Sequence, residues 1–146
     1  MRRQTITQYN VQFANTPGML AKLTRLLVRE RIDFKSVVMA SVGDKTAIQF
    51  LARKDPALRE KLERTGSLVQ EDLIFQLEMP NRPEELHKLA KALADGGINI
   101  VSLYSSVEGE SMRLILSVDQ PANAVALAGK LGFDPDYALY EDKAVI

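Results

Sequence analysis

Residues 15–34 read NTPGMLAKLTRLLVRERIDF, and residues 81–100 read NRPEELHKLAKALADGGINI. A shift of 66 residues lays one on the other without a gap, matching Asn15 to Asn81, Pro17 to Pro83 and Leu20 to Leu86. Lys22, Leu23, Leu27 and Ile32 then fall on Lys88, Leu89, Leu93 and Ile98, and Gly43 falls on Gly109. Matches at Asn, Pro and Gly weigh more than matched leucines, because those residues mark caps and turns. The chain is therefore read as two copies of one unit, 1–70 and 71–146, with the seam near residues 66–72.

Each copy has the same grammar. An alternating strand opens it, with Tyr9, Val11 and Phe13 on one face and Leu73, Phe75, Leu77 and Met79 in the second copy. A short Asn/Pro loop leads to an amphipathic helix with the stripe Leu20, Leu23, Leu26, Leu27 or Leu86, Leu89, Ala90, Leu93. Pro17 and Pro83 suit the first turn of these helices. A hairpin follows, its strands at 32–42 and 45–53 split by Val42-Gly43-Asp44-Lys45 and those at 98–107 and 111–118 by Glu108-Gly109-Glu110. Second helices start near Asp55-Pro56 and Gln120-Pro121, and closing strands are expected at 67–70 and 137–141. The segment 67–79 could be one long strand with a bend near Gln70-Glu71-Asp72. The order βαββαβ, twice, implies an α+β fold: two ferredoxin-like modules, each an antiparallel sheet with its helices on one face.

Composition narrows the function. The 146 residues carry 19 basic and 19 acidic side chains, no cysteine and one histidine. Thiolate metal sites and disulfides are excluded, a histidine-rich metal site is impossible in one chain, and no cofactor is expected. A net charge of zero argues against a nucleic-acid role. No apolar run approaches the roughly 20 residues of a membrane helix, and no secretory leader follows Arg2-Arg3. A cytoplasmic protein is expected. His87 reads as an exposed helix residue, and Ser105-Ser106 shows no nucleophile–base spacing.

Two places could hold a ligand. The loop Asn15-Thr16-Pro17-Gly18 stands before a helix, where free N–H groups attract an anion and glycine allows close approach. By its local sequence alone it reads first as a helix cap with a proline start. In the second copy Asn81-Arg82-Pro83-Glu84 adds a carboxylate where Gly18 stood. The helix-to-strand junctions place Asp33 and Asn99 at equivalent positions, able to meet an ammonium or either end of a zwitterion. The open sheet face is read as carrying Val37, Met39, Leu51, Val101, Leu103 and Ile115, an apolar patch suggesting a homodimer. The aromatics Phe34, Phe50 and Tyr104 are read as alternating toward the helices, which leaves no platform for RNA.

The segments NTPGML at 15–20 and GGINI at 96–100, in register with the repeat, resemble the ACT domain, a small module of amino-acid-regulated enzymes. The resemblance spans about residues 4–141 and implies a stand-alone pair of ACT modules that binds a free amino acid and has no catalysis of its own. It implies that modules pair side by side, with the ligand between the first loop of one and the early second strand of a neighbour. That places the site at Asn15, Thr16, Pro17, Gly18, Met19, Leu20, Ile98, Asn99 and Ile100. A reciprocal site would use Asp33, Phe34, Asn81, Arg82, Pro83 and Glu84. Two departures weigh against it, Glu84 in place of glycine and Asp33 in place of asparagine. The rival readings are a dimerisation module that binds no ligand and an acyl-phosphate hydrolase. The hydrolase would want an arginine in the 15–18 loop, and none is there.

Overall fold

The computed structural model describes residues 3–65, 67–135 and 140–142. The chain divides into two compact units, Met1–Asp72 with Tyr140–Ile146, and Leu73–Leu139.

The first unit contains β1 (Arg3–Ala14), α1 (Met19–Arg29), β2 (Phe34–Val42), β3 (Lys45–Arg53), α2 (Pro56–Glu63) and β4 (Leu68–Asp72). Its antiparallel sheet runs β2-β3-β1-β4. Tyr9, Val11 and Phe13 alternate into the core, where Ile48, Phe50, Leu23, Leu27, Leu58 and Leu62 meet them. Tyr9 and Phe50 stack with ring centroids 5.3 Å apart. Asp55 caps α2 by accepting a hydrogen bond from the Ala57 amide at 3.0 Å, one residue before Pro56.

The second unit contains β5 (Phe75–Pro80), α3 (Pro83–Asp95), β6 (Ile100–Glu108), β7 (Ser111–Val118) and α4 (Pro121–Lys130). Its sheet runs β5-β7-β6. Phe75, Leu77, Met79, Leu89, Leu93, Leu114 and Leu116 form its core, closed by Ala124, Ala128 and Phe133. Both hairpins turn in two residues, Gly43-Asp44 and Gly109-Glu110, between the pairs Val42–Lys45 and Glu108–Ser111. The leading glycine has φ of 63° in one and 62° in the other, a conformation costly for any other L-residue.

Several expectations need correction. The segment 67–79 is two strands, broken at Leu73-Ile74, so Leu73 lies outside the strand and is exposed. The closing strand of the second copy is β8 (Tyr140–Asp142), and it pairs with Arg3–Thr5 of β1. It therefore belongs to the first unit; residues 137–139 of that expectation lie outside the described residues. Pro83 is the first residue of α3, but α1 begins only at Met19, with Gly18 as its cap, so Pro17 stands outside the helix. Leu20 leaves the apolar stripe and is 42% exposed.

The face assignment of the middle strands holds for Phe34, Phe50, Leu51 and Ile115 and fails for Val37, Met39, Leu103 and Tyr104, for one reason that acts twice. The β2–β3 register slips between Phe34 and Ser36, and the β6–β7 register slips between Ile100 and Ser102. A bulge inserts one unpaired residue and reverses the alternation beyond it. Val37 and Met39 consequently lie opposite Phe50 and Ile48, and Leu103 lies opposite Leu116, all on the core face. Tyr104 lies opposite Ile115 on the open face instead. The face of the first sheet opposite its helices mixes Ile6 and Leu51 with Gln8, Asn10 and Gln49, and Ile6, Gln8, Asn10 and Leu51 are buried.

Candidate functional site

The loop after β1 is held from behind. The Asn15 amide donates to the Asp44 carbonyl at 2.8 Å, and the Thr16 amide donates to the Ala14 carbonyl at 2.8 Å. The loop is thereby pinned to the tip of the β2–β3 hairpin. Gly18 caps α1 with φ 88°, ψ −2°, and its carbonyl accepts the Lys22 amide at 3.0 Å. No side chain caps this helix and its first turn holds no acidic residue. The N-terminal partial positive charge therefore faces outward uncompensated. A Cβ built on Gly18 would meet nothing within 4 Å. Asn15, Thr16, Pro17 and Gly18 are all exposed, and Met19 is half-buried.

The second copy repeats the backbone and changes the chemistry. The Asn81 amide donates to the Glu110 carbonyl and the Arg82 amide to the Pro80 carbonyl, both at 2.8 Å. But Pro83 supplies no N–H, and Glu84 and Glu85 occupy the first turn of α3. These carboxylates answer the helix charge that α1 leaves open. Arg82 itself pairs with Glu85 at 3.5 Å. Asn81 and Arg82 border an open cleft of about 940 Å³, with Glu78, Glu108 and Glu110 among its other walls. By contrast, the crevice beside Met19, between Phe13, Leu23 and Thr65, measures about 10 Å³. It is too small for an amino acid, so a ligand on the first loop needs a further wall.

At the junction before β6, Ile98 is buried and anchored by its amide to the Leu93 carbonyl at 2.9 Å. Asn99 and Ile100 are exposed. Asp119 fixes Asn99: its carboxylate accepts the Asn99 backbone amide at 3.0 Å and the Nδ2 amide at 3.3 Å. With Nδ2 engaged, Oδ1 is the acceptor that Asn99 has left to offer. Gln120 braces the same corner by donating to the Gly97 carbonyl at 3.0 Å. Sequence reasoning missed Asp119. The only signal was its place before Gln120-Pro121, and its partner lies twenty residues away. In the first copy the position equivalent to Asp119 is Arg53, and the equivalent of Asn99 is the exposed Asp33, followed by the exposed Phe34. Within the units, then, the first loop residues stand together at the start of α1, and Ile98, Asn99 and Ile100 stand together at the start of β6. His87 is exposed, as expected. Among the described residues no group of three or more His, Asp or Glu is placed to hold a metal, and no helix is long and apolar enough to cross a membrane.

No sequence-family profile and no curated protein matches the chain. Solved structures do. Protein BT0572 from Bacteroides thetaiotaomicron superposes with a TM-score of 0.74 at 18% identity, over 93% of this chain and 94% of that one. The regulatory subunits of aspartate kinase from Thermus flavus and Thermus thermophilus give 0.64 and 0.62, each at 18% identity over 88% of this chain and 94% of theirs. The ACT-like, ferredoxin-type fold expected from residues 15–20 and 96–100 is the fold observed.

Proposed function

We propose that the chain is a regulatory protein that binds a free amino acid at an interface between ACT-like modules and carries out no reaction itself. The observation that carries this reading is the start of α1: an acid-free helix end with no side-chain cap and with open space where a Gly18 side chain would stand. A ligand carboxylate accepts from the main-chain amides of Met19 and Leu20. Its ammonium donates to main-chain carbonyls and to Oδ1 of an Asn99, which Asp119 holds in that orientation. Its side chain lies against Met19 and the exposed Leu20. Ile98 and Ile100 shape the facing wall.

The likeness in fold to regulatory subunits of aspartate kinase supports a regulatory rather than a catalytic role. The reciprocal set, Asn81, Arg82, Pro83 and Glu84 with Asp33 and Phe34, is the weaker site, because Glu84 and Glu85 repel a carboxylate there. The protein acts in the cytoplasm as a homodimer, and its output passes to a metabolic enzyme whose state the bound amino acid biases. A ligand does this only by binding one arrangement of the modules better than another.

Calorimetry of the whole chain against each of the twenty standard amino acids tests the reading. One or a few should bind, and Gly18→Trp should abolish the signal while leaving the fold intact by circular dichroism. Absence of binding to all of them at millimolar concentration overturns it and leaves a module that only associates.

A further inference from the structure

The matched first helices differ along one outward row. At helical spacing Gly18, Lys22, Arg25 and Arg29 stand in line along α1, and the 66-residue shift puts Glu84, Lys88, Lys91 and Asp95 in line along α3. The α3 row is answered locally: Lys88 pairs with Glu85 at 3.3 Å and Lys91 with Asp95 at 2.9 Å. The α1 row holds cations alone. Lys22, Arg25 and Arg29 are exposed, and none of them forms an ion pair among the described residues. The neighbouring α2 is answered too, Arg59 by Glu63 and Glu71, Lys61 by Glu30, and Arg64 by Glu60. No acidic residue lies within Met19–Arg29. Asp33 stands beyond the end of α1 between Arg31 and Lys35, and Asp44, whose carbonyl holds the Asn15 amide, is followed by Lys45.

We propose that the Lys22, Arg25 and Arg29 row of α1 is a docking face for a carboxylate-bearing helix of a partner protein. Charge complementarity selects an acidic partner, and the spacing selects a helix. At a rise of about 1.5 Å per residue the gaps along the axis are about 4.5 Å and about 6 Å. Carboxylates at i, i+3 and i+7 of a second helix have the same gaps, whereas side chains on one face of a strand recur at about 6.6 Å. Val28, three residues on from Arg25 and 76% exposed, is an apolar side chain beside the row that such a helix covers. The whole unit helps the encounter. Met1–Asp72 with Tyr140–Ile146 holds fourteen Lys and Arg against ten Asp and Glu, a net +4 that draws an acidic segment toward it.

Other anionic surfaces suit the row less. A helix that lies on a membrane buries an apolar face there, and α1 already uses its own, Leu23 and Leu27, in the core of its unit. Base recognition needs aromatic, Asn or Gln side chains to stack on or read the bases, and Met19–Arg29 contains none. The docking face requires no bound amino acid, so it stands or falls apart from the ligand reading above.

Fluorescence anisotropy with two labelled, alanine-rich peptides of about eighteen residues tests the face on the whole chain. Both peptides have one composition. The first sets its glutamates in a single row at i, i+3 and i+7; the second spreads them round the helix. The wild type should bind the row peptide about tenfold more tightly, the order that three exposed ion pairs supply together. The preference should fade as salt rises. Lys22→Gln with Arg25→Gln and Arg29→Gln should erase it. Lys35→Gln with Lys45→Gln and Lys54→Gln removes the same charge from exposed positions off the helix and should keep it. Circular dichroism establishes that both variants fold. Equal binding of the two peptides by the wild type, equal losses from the two variants, or a preference that survives in the α1 variant each overturns the proposal. Phosphatidylserine vesicles and a DNA duplex complete the series. Tighter binding of either than of the row peptide, lost in the α1 variant, overturns the assignment to a partner helix.

Discussion

Leu58 and Leu62 line the buried side of α2; at the matching positions α4 carries Ala124 and Ala128, equally buried. The hairpins and the Asn15 and Asn81 loops around these helices have the same hydrogen bonds to within the distances given. The backbone of the repeat is thus set by its turns, while each core is filled its own way. Volume missing from α4 is made up by Phe133, Leu127 and Leu131 in the second core. Two substitutions break that difference from either side. Leu62→Ala should cost about 2–5 kcal/mol, the transfer loss plus the cavity left behind. Ala128→Leu should cost about 1–3 kcal/mol through overpacking. Urea midpoints at constant slope measure both, and a neutral Ala128→Leu would mean that α4 has slack which Leu62 lacks.

A second difference sits on the central strands. Tyr9 of β1 corresponds to Phe75 of β5, and both are buried. The Tyr9 hydroxyl accepts the Asp55 amide at 2.9 Å. Burial, chiefly, and then the nearby Glu71 and Asp55 carboxylates push its pKa up to about 12, against an opposing bond to the Asp55 backbone. A folded value above the unfolded value of 10.0 means the neutral phenol is favoured in the fold. That contribution is complete below pH 10 and is lost as pH rises through about 12. Two units correspond to about 2–3 kcal/mol of alkaline destabilisation. Tyr9→Phe, which copies Phe75, should remove this pH dependence while costing about 1–3 kcal/mol at neutral pH by orphaning the Asp55 amide. Stability profiles of both proteins from pH 8 to pH 12 check it; an unchanged alkaline limb in the variant would place the titration elsewhere.

The third difference bears on function. Gly18 and Glu84 occupy matching positions at the starts of α1 and α3, one leaving the helix charge open and the other answering it. Gly18→Ala meets no neighbour, yet its left-handed backbone should cost about 1–2 kcal/mol in stability. The added methyl stands where the proposed ligand carboxylate would approach, so on that proposal affinity should fall about tenfold, roughly 1.4 kcal/mol. Glu84→Gly should leave the first site's affinity unchanged and strengthen any second binding event. Calorimetric stoichiometry separates the two, and equal losses from both variants would erase the distinction between the loops.

The parts of this fold that were legible are the parts fixed locally. Asn-x-Pro before a helix, Gly in a two-residue turn, and Asp55 or Gln120 before proline each restrict only a few torsions, so their meaning survives without tertiary context. The bulges did not announce themselves. Lys35 and Val101 carry no glycine or proline, and skipping one residue was enough to turn Val37, Met39, Leu103 and Tyr104 to the other face. The partner of β8 is a non-local choice made by a three-residue strand, which periodicity cannot decide. The same holds at the site. Gly18 could be singled out from its own neighbours, whereas the hold of Asp119 on Asn99 exists only because Ile100 pairs with Val118.

The smallest expected effect concerns the ends of the first helices, where the two copies use one geometry with different residues. The Ile32 amide reaches back to the Leu27 carbonyl and the Ile98 amide to the Leu93 carbonyl, each at 2.9 Å. This closing turn needs a left-handed residue just beyond the helix. The second copy supplies Gly97 at φ 71°, and the first supplies Arg31 at φ 54°. Arginine is exposed there and forms no ion pair among the described residues, so nothing seen offsets the strain of its Cβ. Arg31→Gly should therefore stabilise by about 0.5–1 kcal/mol, the relief of strain being partly cancelled by the greater freedom of glycine in the unfolded chain. The reverse exchange, Gly97→Arg, should destabilise by a similar amount. Thermal melts of both, at low and high salt, distinguish backbone strain from loss of charge, since only the latter is screened. If Arg31→Gly destabilises instead, the guanidinium contributes more than its backbone costs.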